Sequence, residues 1–591
     1  MIPPFARARS SLIAHRSSLI AHRSSLIVRP SFILSCTLRV ARLLATLFVS
    51  SALVACRHDV TGADADSTRT SLDSTAASVL TQHNDNARTG WNDREAVLTT
   101  HNVNAQRFGL LFTMPVDDQV WAQPLVAGGI AIGGGRRNVV YVATANNTLY
   151  AFDGDDGRLY WQKNYTAPGM RPPRNTDMAG ACDGAYKDFS GNIGIVGTPV
   201  IDATTRIIYF VARSTTGSAF VQHLHAVRLE DGTEVAGSPV QITGTVSGSG
   251  AGNTGGAITF DAQRQNQRQG LTLVNGVVYM TFASHCDWGP YHGWILGYDA
   301  STLQQRVVYN TTPDGYAGGM WESGTGMAAD ADGNLYVVTG NGSVGTPADP
   351  TDVRNRAESA LALTPSGSTL RVASYFTPDN YELLNNYDLD YGGMGALLIP
   401  DSRYFVTGAK DGSLYLLDRN DMGGYSPASN QARQTIALSS NANLHCQAAY
   451  YGGAAGGREL VYVWSENDQL RGFPFDRVNG RLDEAGQVRS VLGPSGQNGA
   501  MLSVSSNGTT AGSGIVWASH AYTGDAEHEV SPGILRAFDA ADVTKELWNS
   551  RQNATRDVGG AYAKFASPTI ANGHVYLATF SNRVAVYGLL N

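Results

Sequence analysis

The sequence predicts an all-β protein whose body is one closed, eight-bladed β-propeller. Three observations carry that reading. From residue 120 onward a single pattern recurs: an apolar strand, a turn, a strand of the type V-V-Y-V-A-T, a polar turn, L-Y-A-F-D, a Gly turn and a short closing strand. The 591 residues include 66 Gly, 26 Tyr and 9 Trp. That composition suits many short strands joined by tight turns, because Gly enters positive φ without steric cost. Helical periodicity is almost absent, which argues against helices packed between the strands.

Residues 139–161 (VVYVATANNTLYAFDGDDGRLYW) show the pattern most clearly. Related copies occupy 207–229, 277–299, 335–363, 404–418, 460–475, 515–539 and 574–587, with leading strands at 123–126, 198–201, 270–273, 396–400 and 567–570. A four-strand meander cannot bury both faces alone, and radial packing of neighbours covers them. A β-helix would need much shorter repeats. The last copy ends at 587–590 without an outer strand, while 110–116 (LLFTMPV) is an orphan strand ahead of the first copy. Placing the orphan outermost in the last blade joins the two ends of the chain and removes an open sheet edge.

Ahead of the propeller the chain reads as an address and a tether. The first 55 residues contain Arg but no acid, and 10–16 (SSLIAHR) repeats at 17–23, which reads as translated sequence upstream of the true start. Arg39 and Arg42 then precede the apolar run 43–55, the n-region and h-region of a signal peptide. The string Leu53-Val54-Ala55-Cys56 resembles a bacterial lipobox, which implies acylation of Cys56. Arg57 in place of Asp disfavours inner-membrane retention by the same resemblance. The expectation is an exported protein, lipid-anchored at the outer membrane or facing the periplasm. Domain limits follow: signal segment and lipobox 1–56, flexible polar linker 57–79, propeller 80–591.

Charged residues make up 16% and the net charge is −7, which argues against a nucleic-acid binder, since those carry a basic face. Of five Cys, only Cys182, Cys286 and Cys446 fall in the propeller, so at least one is unpaired within the chain and the pairing stays open. No C-x-x-C-H occurs, so no c-type haem is attached to this chain.

The default role of an Asp in the A-F-D-G-D and L-L-D-R turns is capping. Four segments carry more chemistry than turns require. The stretch 285–294 (HCDWGPYHGW) gathers His, Cys, Asp and His in one loop, a candidate soft-metal site taken alone, although the spacing matches no zinc pattern. The stretch 339–343 (TGNGS) places Asn341 at a strand end. The stretch 386–393 (NYDLDYGG) sets two acids one residue apart ahead of a blade, and 408–412 (GAKDG) holds Lys410.

With 82–90 (QHNDNARTG), these segments fall in the order seen in quinoprotein alcohol dehydrogenases, which the chain resembles distantly over nearly all of its mature length. It is identified as a lipoprotein form of the PQQ-like (pyrroloquinoline quinone) repeat propeller. The resemblance implies roles. Asp287, Asn341 and Asp390 would be oxygen ligands for Ca2+. Asp390 would be the catalytic base. Lys410 would touch the quinone oxygens and stabilise charge there. Trp321 would be the aromatic floor under the PQQ ring, with Asn341 also at the cofactor. The activity implied is oxidation of an alcohol, sugar or similar hydroxyl compound, with electrons leaving to an external acceptor. Three features depart from the family: the adjacent Cys-Cys pair is missing, Asp287 stands where a Glu ligand is expected, and no cytochrome is attached. The alternative reading is a non-catalytic propeller lipoprotein that binds protein or glycan at the cell envelope.

Overall fold

The computed structural model describes residues 77–590 apart from 440, 494 and 495. The signal segment, Cys56 and the linker up to residue 76 lie outside the described residues. Ala77 and Val79, just ahead of residue 80, are buried, and Val79 pairs with Val126.

Among the described residues, eight blades of antiparallel strands follow one another along the chain, as the repeat predicts, with a small extra hairpin at Thr245–Ser247 and Ala257–Thr259. Blade 1 consists of Leu125–Ile132, Gly135–Ala143, Thr148–Asp153 and Leu159–Asn164, each strand bonded to the next. Blades 2 to 7 begin at Val200, Thr272, Ala328, Met394, Ala449 and Met501. Blade 8 takes Thr569–Ala571, His574–Ala578 and Arg583–Leu589 from the C-terminus, and its outer strand is Phe108–Pro115. That strand runs antiparallel to the last one, with Phe108 opposite Leu589 and Pro115 opposite Arg583. The orphan therefore fills the gap, and the ring has no open edge between its ends.

Repeated residues do repeated work. Asp153, Asp299, Asp418, Asp476 and Asp539 each end the third strand of a blade, and each accepts the backbone N–H two residues on at 2.9–3.0 Å. The carboxylate satisfies a donor that the turn leaves without a strand partner. The Tyr of the second strand ties a blade to its neighbour. Tyr141 donates to the Leu229 carbonyl at 2.9 Å, Tyr209 to Ala300 at 2.8 Å, and Tyr576 of blade 8 to Gly154 of blade 1 at 3.0 Å. Among the described residues, the buried apolar side chains fall into eight clusters, one in each seam between adjacent blades. Each fully buried large apolar side chain there contributes about 1.5–3 kcal/mol.

The segment ahead of the outer strand threads the axis. Val79 pairs with the innermost strand of blade 1, the Leu80 carbonyl accepts Ile201 of blade 2, and Asn86 donates to Leu273 of blade 3 and accepts from Ala329 of blade 4. Ala87, Thr89 and Gly90 then accept from Leu398, Tyr450 and Val504 of blades 5, 6 and 7. Arg88, fully buried, reaches Thr81, Gln82, Thr272 and Met327. One short stretch thus closes the axis by satisfying inner-strand backbone groups blade after blade.

Candidate functional site

A cavity of about 340 Å³ lies where the connections of the blades converge. Its wall includes Trp121 ahead of blade 1, Arg268 ahead of blade 3, Asp287 within blade 3, Trp321 ahead of blade 4, Lys410 within blade 5 and Lys564 ahead of blade 8. The volume is within the range of small-molecule sites.

The centre of charge is Lys410, in the turn between the second and third strands of blade 5. Its ammonium lies 2.5 Å from Asp390 and 3.1 Å from Asp388. Asp390 sits at the entry to blade 5 and is 1% exposed. Asp388 ends the short helix Tyr381–Tyr387 in a left-handed conformation, φ 55°. Asn341, from blade 4, donates its amide to the same Asp388 oxygen at 2.8 Å. Burial alone would lower the Lys410 ammonium, but Asp390 and then Asp388 hold it above its ordinary value. Glu358 stands behind them, fully buried, and accepts the Tyr391 N–H at 2.7 Å. Burial, reinforced by the Asp390 charge, raises its carboxyl well above the usual range.

Gly340 makes this packing possible. A Cβ there would collide with Asp390 Oδ2 and come within 2.9 Å of Trp321 Cδ1. Trp321 lines the cavity, with the Arg268 guanidinium 5.2 Å from its ring centre.

Asp287 approaches from blade 3 and accepts the Tyr291 hydroxyl. Burial pushes it up to about 6; the Tyr291 hydrogen bond opposes, and the Asp390 and Asp388 charges add. Its neighbour Cys286 is disulfide-bonded to Cys182, 104 residues away, and both sulfur residues line the cavity. The pairing that the sequence left open is therefore Cys182–Cys286, and Cys446 is a buried free thiol. The loop is not a soft-metal site built on its histidines. His285 meets Tyr186 at 2.8 Å and Arg213 at 2.7 Å, and His292 meets Ala251 at 2.8 Å, so both rings are occupied by protein.

The structure brings Asp390, Lys410 and Asn341 together through Asp388, an acid to which the sequence reading gave no role. Asp287 and Trp321 share the cavity wall with Lys410. Asn341 and Asp390 do not face that cavity. Asn341 opens instead on an adjoining cleft of about 570 Å³, and Asp287 lines both spaces. Among the described residues no three His, Cys, Asp or Glu side chains are grouped to hold a metal. The donor chemistry still fits a hard cation. The Asn341 amide oxygen is buried without a hydrogen-bond partner, and Asp287, Asp388, Asp390 and Glu358 outnumber the single Lys410. Sequence reasoning also missed Arg268, Glu358 and Lys564. None sits in a motif, and a lone Lys or Arg in a loop carries no signal of burial.

A PQQ-like repeat profile described as outer membrane protein assembly factor BamB matches residues 111–185, from the closing strand through blade 1 to the Cys182 turn. A search of curated proteins finds no match to the chain. Among solved structures, quinohemoprotein alcohol dehydrogenase from Comamonas testosteroni superposes with a TM-score of 0.53 at 16% identity, covering 87% of this chain and 80% of its own. Quinohemoprotein alcohol dehydrogenase ADHIIG from Pseudomonas putida HK5 gives 0.53 at 14% identity, with 87% and 80% covered. At such identities the likeness establishes the fold.

Proposed function

We propose that this eight-bladed propeller of the PQQ-like repeat type is a PQQ- and calcium-dependent dehydrogenase. It would oxidise an alcohol, sugar or related hydroxyl compound and pass the electrons to an external acceptor. The observation that carries the reading is the buried Asp390–Lys410 pair, joined by Asp388 and Asn341, beside a cavity walled by Asp287 and Trp321. Bound PQQ would supply the two-electron acceptor ring and Ca2+ the Lewis acidity.

The chain's own groups have separable tasks. Asp287, Asn341 and Asp390 offer two carboxylates and an amide oxygen, the hard donors calcium takes. Asp390, which Lys410 joins to the cavity wall, would take the substrate hydroxyl proton at a carboxylate oxygen. Lys410 pairs with Asp390 and brings a fixed positive charge to the cavity wall, where it stabilises negative charge on a ligand oxygen. Trp321 offers a flat apolar face.

Reconstitution tests the reading. Purified protein given PQQ and Ca2+ should acquire the quinone absorbance and oxidise alcohols with a dye as acceptor. Asp390→Asn should retain the absorbance and lose turnover by roughly 10²–10⁴-fold. Folded protein showing neither signal would point to the second reading, a propeller that binds protein or glycan, which the BamB-type match over 111–185 favours.

Export and lipid anchoring through Cys56 belong to the same proposal. The Cys182–Cys286 disulfide supports an oxidising compartment. Mass spectrometry of the mature N-terminus should find Cys56 acylated.

A further inference from the structure

We propose that Arg268 and Lys564 form an anion subsite in the axial cavity, built to receive the carboxylate groups of a flat aromatic ligand. Where that ligand is the quinone cofactor, the inference rests on the reading above.

Three Lys or Arg side chains line the cavity: Arg268, Lys410 and Lys564. They differ in how far the protein satisfies them. Lys410 is held by two carboxylates. Arg268 donates its Nε to the Trp321 carbonyl at 3.2 Å and lays its guanidinium 4.3 Å from the Phe565 ring centre. Among the described residues, neither of its terminal nitrogens meets a protein acceptor. Lys564 is 3% exposed, donates to the Glu527 carbonyl at 2.5 Å, and stands 5.5 Å from the centre of the Trp121 ring. Neither side chain has an ion-pair partner among the described residues. Asp188, the acid whose charge bears most on both, lies 3.2 Å from His528.

Burying a cation without a counter-ion is costly. Here Lys564 is buried and Arg268 half-buried on one wall, and the Arg268 charge bears on Lys564. Burial lowers Lys564 to about 8 and lowers Arg268 as well, and the Arg268 charge lowers Lys564 further. A carboxylate placed against them would offset both costs. The Arg268 fork can take two carboxylate oxygens side by side, while Lys564 acts as a point charge. The faces around them are Trp121, Trp321 and Phe565, so a ring bearing the carboxylates would have flat apolar surface to lie on.

The test titrates wild-type protein, Arg268→Gln and Lys564→Met with PQQ and with its trimethyl ester. Trp fluorescence quenching reports binding, and Tm is recorded for each protein. Each variant should bind PQQ on the order of tenfold or more weakly, because a hydrogen bond to a charged group is lost, and should bind the ester as wild type does. Arg268→Lys, which keeps the charge and loses the fork, should fall between and serves if the Gln variant does not fold. Equal binding of PQQ by wild type and variants overturns the subsite, as does an equal loss for acid and ester. Pyridine-2,4,6-tricarboxylate separates the two readings. If wild type takes up this acid but not PQQ, and the variants do not, the subsite stands without the quinone reading; uptake of neither by wild type ends both.

Discussion

Two buried lysines face one cavity and are driven in opposite directions. Lys410 is raised and Lys564 is lowered to about 8. Desolvation opposes the charge of both, so burial cannot explain the difference. Lys410 has a carboxylate at 2.5 Å and another at 3.1 Å, whereas Lys564 has a backbone carbonyl and an aromatic face. The lesson is that the cavity is divided. Around Lys410 the protein has completed its own electrostatics with an excess of acid, which suits a cation. Around Lys564 and Arg268 it has left positive charge for something else to complete.

The strongest way to break this contrast is to remove each ammonium. Lys410→Met strands Asp390 in the interior and should lower unfolding free energy by about 3–5 kcal/mol in denaturant titration. Lys564→Met removes a desolvated charge that has no ion-pair partner among the described residues and should be neutral or stabilising at pH 7. A cost for Lys564→Met equal to that for Lys410→Met would erase the distinction.

A pH series sharpens it. Lys564 has a folded value of about 8 against 10.5 for the free side chain. Below the folded value both states carry the proton and the burial penalty is in full force. Between about 8 and 10.5 the unfolded chain binds more protons, so stability rises with pH through that window. Wild type should therefore gain about 2–3 kcal/mol on Lys564→Met across it, read as the difference in Tm or denaturation midpoint.

Gly340→Ala probes the other pole through shape. The added methyl must push Asp390 or Trp321 aside, and a loss of about 1–3 kcal/mol is expected, with the Asp390–Lys410 contact loosened. Asp388→Asn should do least. The Asp388 side chain is 66% exposed where that of Asp390 is 2%, and an exposed pair contributes at most about 1 kcal/mol. If Asp388→Asn cost as much as Lys410→Met, the charge would be held from the surface and not from within.

Much of the fold was legible because its signals are local. The Asp that ends a third strand caps its own turn, and the second-strand Tyr recurs at one place in the repeat. The orphan 110–116 could be assigned because a sheet with a missing strand and a strand with no sheet define one another. The site was legible only where a motif carried it. Asp287, Trp321, Asn341, Asp390 and Lys410 were named from a resemblance in order along the chain, and the fold sets Asp390, Lys410 and Asn341 side by side around Asp388. That Asn341 opens on a separate cleft, with Asp287 between the two spaces, had no counterpart in the sequence. Nor did the Cys182–Cys286 bond, since three thiols allow three pairings and only distance selects one.

By itself the amino-acid sequence determined the repeat, the number of blades and the way the ring closes. Those depend on alternation of apolar residues and on turns, which act over a few residues at a time. The tertiary structure alone decided which charges are paired. Arg268, Lys564, Asp188 and Lys410 come from different parts of the chain, and the energy of each depends on what the ring brings within a few ångströms of it and on how much water is left there.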